Sequence, residues 1–200
     1  MSPRRSPDPS ERRRDPEKAR QKLLDAAVEE FGAKGFAGAR VKQIADRAGL
    51  NQQLISYYFG GKEGLYKALQ RQWAETSADL SRPELPLEDV VVNFLRASVR
   101  NRSWTRLLAW QGLDDEDTGE AEGSELMRGM VAEFRRRQQA GELALDLDPA
   151  HIALVLFAAA AAPTTLPQIA RRVTGLDPSS EEFVRGYAGQ LARLVRHLKS

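Results

Sequence analysis

Between Gly49 and Gly60 the chain reads GLNQQLISYYFG, and its polar side chains are of the kind that read hydrogen-bonding edges. Gln52, Gln53 and Ser56 stand at i, i+1 and i+4, so on a helix they share one outward face. A glutamine amide can bond an adenine edge in two places in the major groove. A helix this short is only about 10 Å long, so its N-terminal half and outward face must make any base contacts. Asn51, a good N-cap, stands at the head of that segment. Lys62 opens the next segment, whose free backbone N–H groups favour a phosphate. Lys42 and Gln43, near the start of the preceding segment, are further candidates. For Gln52, Gln53, Ser56, Lys42 and Gln43 a merely solvated helix face is the alternative.

Chemistry of other kinds finds little support. There is no cysteine, which excludes disulfides, thiolate metal sites and cysteine nucleophiles and fits a reducing cytoplasm. His151 follows Pro149-Ala150 at a helix start, and His197 lies near the chain end, where a cation suits the helix dipole. Neither belongs to a constellation for acid, base or metal chemistry, and no phosphate-binding glycine loop appears, so an enzyme is the remote alternative. No cofactor is implied. The longest apolar run, Ile152 to Ala162, is too short for a membrane span of about 20 residues and reads as a buried helix.

Charge is unevenly spread. The first 72 residues carry 15 Lys/Arg against 9 Asp/Glu, and the rest carry 15 against 19, so a polyanion would meet the front of the chain. Much of that excess lies in the first 22 residues. Residues 1–15 read as a disordered basic tail, with Pro, Ser and charge and no apolar stretch behind the arginines. Arg12, Arg13 and Arg14 could follow a minor groove, add nonspecific attraction or do nothing.

The elements that would position these residues are helical throughout. Asp15-Pro16-Glu17 is an N-cap, a first-turn proline and an acid at the positive dipole end, so helix 1 is expected to start there. Leu24, Ala27, Val28 and Phe31 give it one apolar stripe, and Lys34-Gly35 ends it. Two short helices follow, Val41 to Ala48 and Gln52 to Phe59, which cannot persist alone and must pack on each other and on helix 1. Gly49 supplies the left-handed turn between them. A helix runs from Lys62 to about Leu80. Five more segments are expected, at Glu88–Asn101, Ser103–Gly112, Gly123–Ala140, Pro149–Val173 and Ser179–Leu198, with Asp114 to Gly123 as an acidic loop. Pro163 and Pro167 are expected to kink or interrupt the fourth of these.

A helix-turn-helix needs a small residue at the crossing, a glycine in the turn and apolar residues that fix the angle. Ala45, Gly49 and Ile55 fill those places, with Ile44, Ala48, Leu50 and Tyr58 on the buried side. The segment from Leu24 to Leu69 resembles the N-terminal domain of the TetR family of transcriptional regulators. Phe31, Gly35, Ile44-Ala45, Ala48-Gly49-Leu50, Tyr57-Tyr58-Phe59, Lys62-Glu63 and Leu65 carry the likeness. The resemblance implies that Tyr57 offers its ring or hydroxyl to the DNA backbone and that Lys62 meets a phosphate. Tyr58 and Phe59 are expected to pack under helices 1 and 4. Family members often carry Ser or Thr where Ala39-Arg40 stands and an aromatic where Ser56 stands. Arg40 could replace the missing hydroxyl with a charge-assisted, salt-sensitive contact.

The expected architecture is all-α, with a helix-turn-helix DNA-binding domain over residues 16–62 and a helical ligand-binding and dimerisation domain over 63–200. One short reading helix gives little affinity, so a homodimer spanning two half-sites about 34 Å apart is expected. Phe183, Tyr187, Leu191, Leu194 and Leu198 form a stripe on the last helix, and Ala158, Ala159 and Ala162 permit close helix approach. The resemblance implies that the last two helices pair with their symmetry mates in a four-helix bundle, an ordinary internal core face being the alternative. It also implies a cavity for a small apolar or amphipathic effector among the middle helices. Phe94, Trp104, Leu107, Leu108, Trp110, Met127, Met130 and Phe134 are the large side chains there, and they serve equally well as core fillers. The reading is a ligand-released repressor on a palindromic operator, with a DNA-binding regulator lacking an effector as the alternative.

Overall fold

In a computed structural model, residues 9–113 and 121–199 are described, and their regular structure is entirely helical. The helices are α1 (Pro9–Gly38), α2 (Val41–Ala48), α3 (Gln53–Phe59), α4 (Lys62–Leu80), α5 (Leu87–Arg100), α6 (Arg102–Leu113), α7 (Ala121–Gln139), α8 (Pro149–Thr165), α9 (Pro167–Thr174) and α10 (Glu181–Arg196).

Helix α1 starts at Pro9 rather than at Asp15, and Pro16 lies inside it. Pro9 satisfies the same first-turn preference as Pro16, and a proline within the opening turns removes only one backbone bond. Residues 9–15 thus continue α1 instead of forming a tail; residues 1–8 lie outside the described residues. At its other end α1 breaks at Gly35, whose φ of 69° and ψ of 175° are non-helical. The acidic segment expected as a loop lies outside the described residues from Asp114 to Glu120, and Ala121 to Gly123 belong to α7.

The expected Pro149–Val173 helix is two helices meeting at 89°. The break falls at Leu166, the N-cap of α9, just before Pro167. Pro163, by contrast, stays inside α8 and is buried. Its missing N–H would orphan the Ala159 carbonyl one turn back. Tyr187 on α10 donates its hydroxyl to that carbonyl at 2.9 Å. At the next residue, Ser98 on α5 donates to the Ala160 carbonyl at 2.8 Å, and Thr164 donates back to Ser98 O at 3.1 Å.

Two cores result. The head core joins Leu23, Leu24, Ala27 and Phe31 of α1 to Ile44, Ala45 and Ile55, to Leu65 and Leu69 of α4, and to Trp104 and Leu107 of α6. The body core joins Leu87, Val91 and Leu95 to Phe134, Leu156 and Ala160, and to Leu191 and Val195. Helix α6 lies against α1 so closely that a Cβ on Gly32 would stand 2.3 Å from the Ser103 carbonyl oxygen. Only glycine permits that approach.

Candidate functional site

The turn between α2 and α3 is built by backbone geometry. Gly49 adopts φ 67°, ψ 33°, and donates its N–H to Asp46 O at 3.1 Å. Leu50 N–H reaches back to Ala45 O at 3.0 Å. This pair of bonds is a Schellman ending, and it places Leu50 on Ala45 at the crossing. Asn51 then accepts the Gln53 N–H on its side-chain oxygen at 2.8 Å, capping the recognition helix as expected. Gly60 ends α3 at φ 74°, and Gly61 turns the chain into α4 at φ 120°.

Burial sorts the side chains of α3 by task. Ile55 is fully buried, and Leu54, Tyr58 and Phe59 pack against the head core. Gln52, Gln53, Ser56 and Tyr57 face solvent, with Tyr57 79% exposed. An aromatic ring left so bare, beside a fully formed core, is available for contact with something else. Arg40 is the extended N-cap of α2 and makes no side-chain cap bond, so the first-turn N–H groups of that helix have no side-chain acceptor from it. Lys42 and Gln43 are exposed beside it; Gln43 accepts from Lys34 Nζ at 2.6 Å. Lys34 in turn pairs at 2.7 Å with the buried carboxylate of Glu30, which Arg47 approaches at 3.8 Å. Lys62 lies with Nζ 4.6 Å over the Phe36 ring and donates to Ala37 O at 3.3 Å. That ties the start of α4 to the end of α1. Arg12, Arg13 and Arg14 lie on the opening turns of α1, their side chains outside the described part.

Below the head, α4, α5, α6, α7 and α8 border a half-open, mainly apolar cavity of about 880 Å³. Phe94, Trp104, Leu108, Met127, Met130 and Phe134 are among its lining residues. Leu107 and Trp110 are not. The lining residues of α6 are Trp104, Leu108 and Gln111, at i, i+4 and i+7, so a single stripe faces inward. Leu107 turns instead into the head core, and Trp110 is half-buried on the far side of α6. The expectation of one broad face spanning both tryptophans is therefore corrected. Sequence reasoning missed the α4 wall, where Gln70, Trp73, Ala74 and Ser77 recur at helical spacing. Trp73 stacks on Trp104 with centroids 5.3 Å apart, and Gln111 donates to the Tyr66 hydroxyl.

Arg137 reaches this cavity at 1% exposure. It donates to Glu133 at 2.8 Å, to Glu142 at 2.9 Å and to the Leu85 carbonyl at 2.8 Å. The hydrogen bond from Arg136 and the charges of Arg137 and Arg136 hold the Glu133 carboxyl below the usual range. Among the described residues no three His, Asp or Glu side chains gather to hold a metal ion, and no single helix is long and apolar enough to cross a membrane.

Of the stripe expected to meet a symmetry mate, Phe183 and Leu191 are buried within the chain, Tyr187 and Leu198 are half-buried and Leu194 is exposed. Phe183 is 3% exposed and stacked on Tyr187 at 5.4 Å. Leu191 belongs to the body core; Tyr187, Leu198 and Ala159 are half-buried and pack against it, and Ala162 is half-buried. The reason is that α10 lies against α5, which consumes its most apolar face. Of the expected set, Ala158 and Leu194 stay on the surface, where Leu154 (63%) and Val155 (54%) join them. The signal for Leu154 and Val155 was that α8 is apolar all round, so a single chain cannot cover every side of it.

A helix-turn-helix with a solvent-facing polar recognition helix, on an all-helical body with a cavity, defines a DNA-binding regulator. Residues 23–69 match the family of bacterial regulatory proteins of the tetR type, and residues 87–193 match the tetracyclin repressor-like C-terminal domain. The chain belongs to the TetR family of transcriptional regulators. It is 28% identical over 186 residues to the HTH-type transcriptional repressor SCO4008 of Streptomyces coelicolor, covering 91% of this chain and 97% of that one. It is also 28% identical over 192 residues to the regulator RutR of Escherichia coli, covering 86% of each. Among solved structures, the transcriptional regulator SCO4942 of Streptomyces coelicolor superposes with a TM-score of 0.72 at 25% identity, over 90% of this chain and 98% of that one. Salmonella enterica GusR shares the fold, with a TM-score of 0.65 at 22% identity over 90% and 95%. SCO4008, RutR and SCO4942 are named as regulators of transcription.

Proposed function

We propose that the chain is a cytoplasmic, homodimeric repressor that binds a palindromic operator and leaves it when a small apolar or amphipathic molecule fills the cavity. The observation that carries this reading is the course of α4. Its first turn, at Lys62, is tied to the DNA-binding head, and its stripe from Gln70 to Ser77 is a wall of the cavity. A ligand pressing on that stripe acts on the helix that sets the heads. Helix α6 is a second link, since Trp104 lines the cavity and also packs in the head core.

In this reading Gln52, Gln53 and Ser56 meet base edges, while Tyr57, Arg40, Lys42, Gln43 and Lys62 meet the backbone and Asn51 orders the helix that presents them. Residues 16–62 act as the DNA-binding domain and 63–200 as the body. The partner surface is the exposed face of α8 and α10, around Leu154, Val155, Ala158 and Leu194. Repression is supported by the relative named a repressor.

Selection of bound duplexes from random DNA tests the reading. An inverted repeat with half-sites about one helical turn apart is expected. Affinity for the selected duplex no greater than for its scrambled version at physiological salt would overturn it.

A further inference from the structure

Helix α9 is eight residues long, and none of its residues is buried. Helices this short do not persist alone in water. Yet among the described residues its substantial packing is against α8 only, from which it turns away by 89°. Leu166 at its N-cap, Ile169 and Val173 stand at i, i+3 and i+7, so they share one face. All three are exposed, Val173 at 79%. Arg172 flanks that stripe, about 60° around the helix from Ile169. Arg171, on the far side, pairs with Asp177 at 3.5 Å, whereas Arg172 is exposed and has no ion pair with a described residue.

At the other end of α8 a second large apolar side chain is held in the open. Leu145, 82% exposed, and Asp146, also exposed, are the central residues of a turn in which Leu147 N–H donates to the Ala144 carbonyl at 3.3 Å. Gln138 of α7 donates from Nε2 to the Ala144 carbonyl at 2.8 Å and to the Leu147 carbonyl at 2.7 Å. Ala144 N–H donates to Leu198 O at 2.8 Å, just past α10. The backbone of this turn is therefore fixed from two sides, and Leu145 stands at its tip. Like Arg172, Asp146 has no ion pair with a described residue.

Charge decides how these two features meet. Between Asp148 and Arg171 the chain carries no Asp, Glu, Lys or Arg, so α8 has acids just before its start and bases just beyond its end. A second copy crossing α8 about a two-fold axis perpendicular to it sets acid against base at both ends, whereas a parallel pair sets like against like. With the crossing at Ala158, in the middle of the exposed face, Leu166 lies about 12 Å along the axis on one side and Asp148 about 15 Å on the other. The start of α9 in one copy is then level with the Leu145 turn of the other.

Resting on the reading that α8 pairs two copies of the chain, we propose that α9 is a dimer arm. Its stripe of Leu166, Ile169 and Val173 docks on Leu145 of the partner subunit, and Arg172 pairs there with Asp146 of the partner subunit. The two-fold axis makes this contact twice, once at each end of the α8 face.

Charge reversal tests the arm in the full-length protein: Arg172→Asp and Asp146→Arg, alone and combined, with dimer dissociation constants from fluorescence-detected sedimentation. Each single reversal sets like charges together twice across the axis and is expected to weaken the dimer about tenfold. The combined variant restores opposite charges and is expected to dimerise more tightly than either single. Arg106→Asp, at an exposed position on α6, changes net charge as Arg172→Asp does and should not rescue Asp146→Arg. Val173→Ser and Leu145→Ser should each weaken the dimer about tenfold while leaving helical content unchanged. Any of these single variants of Arg172, Asp146, Val173 or Leu145 dimerising as tightly as the wild type would overturn the arm. So would a combined reversal no tighter than the singles, or rescue by Arg106→Asp. The pairing of α8 is judged separately by Leu154→Glu with Leu194→Glu, which removes the dimer whether or not α9 takes part. A wild type that sediments as a monomer would sink both readings.

Discussion

Gln53 and Lys42 are both exposed polar residues near the starts of short helices, yet they are expected to fail differently. A glutamine that bonds a base edge contributes discrimination at one position, whereas a lysine at phosphate contributes affinity without sequence. Gln53→Ala should therefore relax preference at one base pair of each half-site by about 1–3 kcal/mol, and Lys42→Ala should weaken binding to all sequences and flatten its salt dependence. Anisotropy titrations on the selected operator, its single-base variants and a salt series separate the two; uniform loss in Gln53→Ala would remove it from the base readers. Asp148 gives a different residue-scale test. It caps α8, accepting from His151 N–H at 2.9 Å, with His151 Nδ1 2.7 Å from the same oxygen. Those bonds, the backbone one foremost, hold its carboxyl below the ordinary range. A carboxylate lowered in the folded state adds stability above its unfolded value of about 4 and loses it as pH falls through the folded value. Asp148→Ala should thus lower the urea midpoint near neutral pH, and the gap should close as both proteins are acidified below about pH 4. A gap constant across that range would mean the carboxylate charge has no part in the cap.

At the scale of elements, α8 depends on its neighbours for the right to contain Pro163. The Ala159 carbonyl that the proline orphans is met by the Tyr187 hydroxyl, and burial pushes the Tyr187 phenol upward, which keeps it a neutral donor. Tyr187→Phe should cost about 1–3 kcal/mol by leaving that carbonyl unpaired. In a Pro163→Ala background, where residue 163 regains its N–H, the same change should cost markedly less. Denaturant unfolding of the four proteins in this cycle measures the coupling, and equal cost in both backgrounds would show that the hydroxyl does not replace the missing bond. The same pair explains what could be read from sequence. Helices α2 and α4 have the expected bounds because their limits are local: Gly49, Asn51 and the Gly60-Gly61 pair act on their own backbone. Pro163 could not be placed, because its tolerance is decided by a tyrosine 24 residues away. The faces of α6 and α10 were misassigned for a related reason. Leu107, Trp110, Phe183 and Leu191 are apolar at helical spacing, but which neighbour each meets depends on α1 and α5, and a pattern on one helix does not name its partner. The candidate DNA-reading face was legible because burial on α3 follows directly from its own Ile55 and Tyr58. The cavity's α4 wall was not, since Gln70 and Ser77 look like ordinary surface residues until α5, α6 and α7 close over them.

For the whole molecule the open question is how a head with so few reading side chains holds DNA. A recognition helix of seven residues offers a handful of contacts, and two heads linked rigidly multiply their affinities through effective concentration. The surface left for that linkage is apolar at Leu154, Val155 and Ala158 on α8 and at Leu194, 52% exposed, on α10. Gly186 and Gly189, with nothing within 4 Å of an added Cβ, leave room for a second helix to lie close. Leu154→Glu combined with Leu194→Glu puts four like charges across a two-fold contact, where burial without partners is prohibitive. Because both positions face outward in the single chain, the variant should keep the helical content and most of the thermal stability of a folded monomer. Its operator affinity should fall by about a hundredfold or more, since each head then binds alone. Sedimentation gives the assembly state and anisotropy gives the affinity, on the full operator and on one half-site. The decisive comparison is between those two duplexes: the wild type should favour the full operator strongly, and the variant should bind both alike. A variant that remains dimeric, or a monomer that still prefers the full operator, would place the partner surface elsewhere on the body.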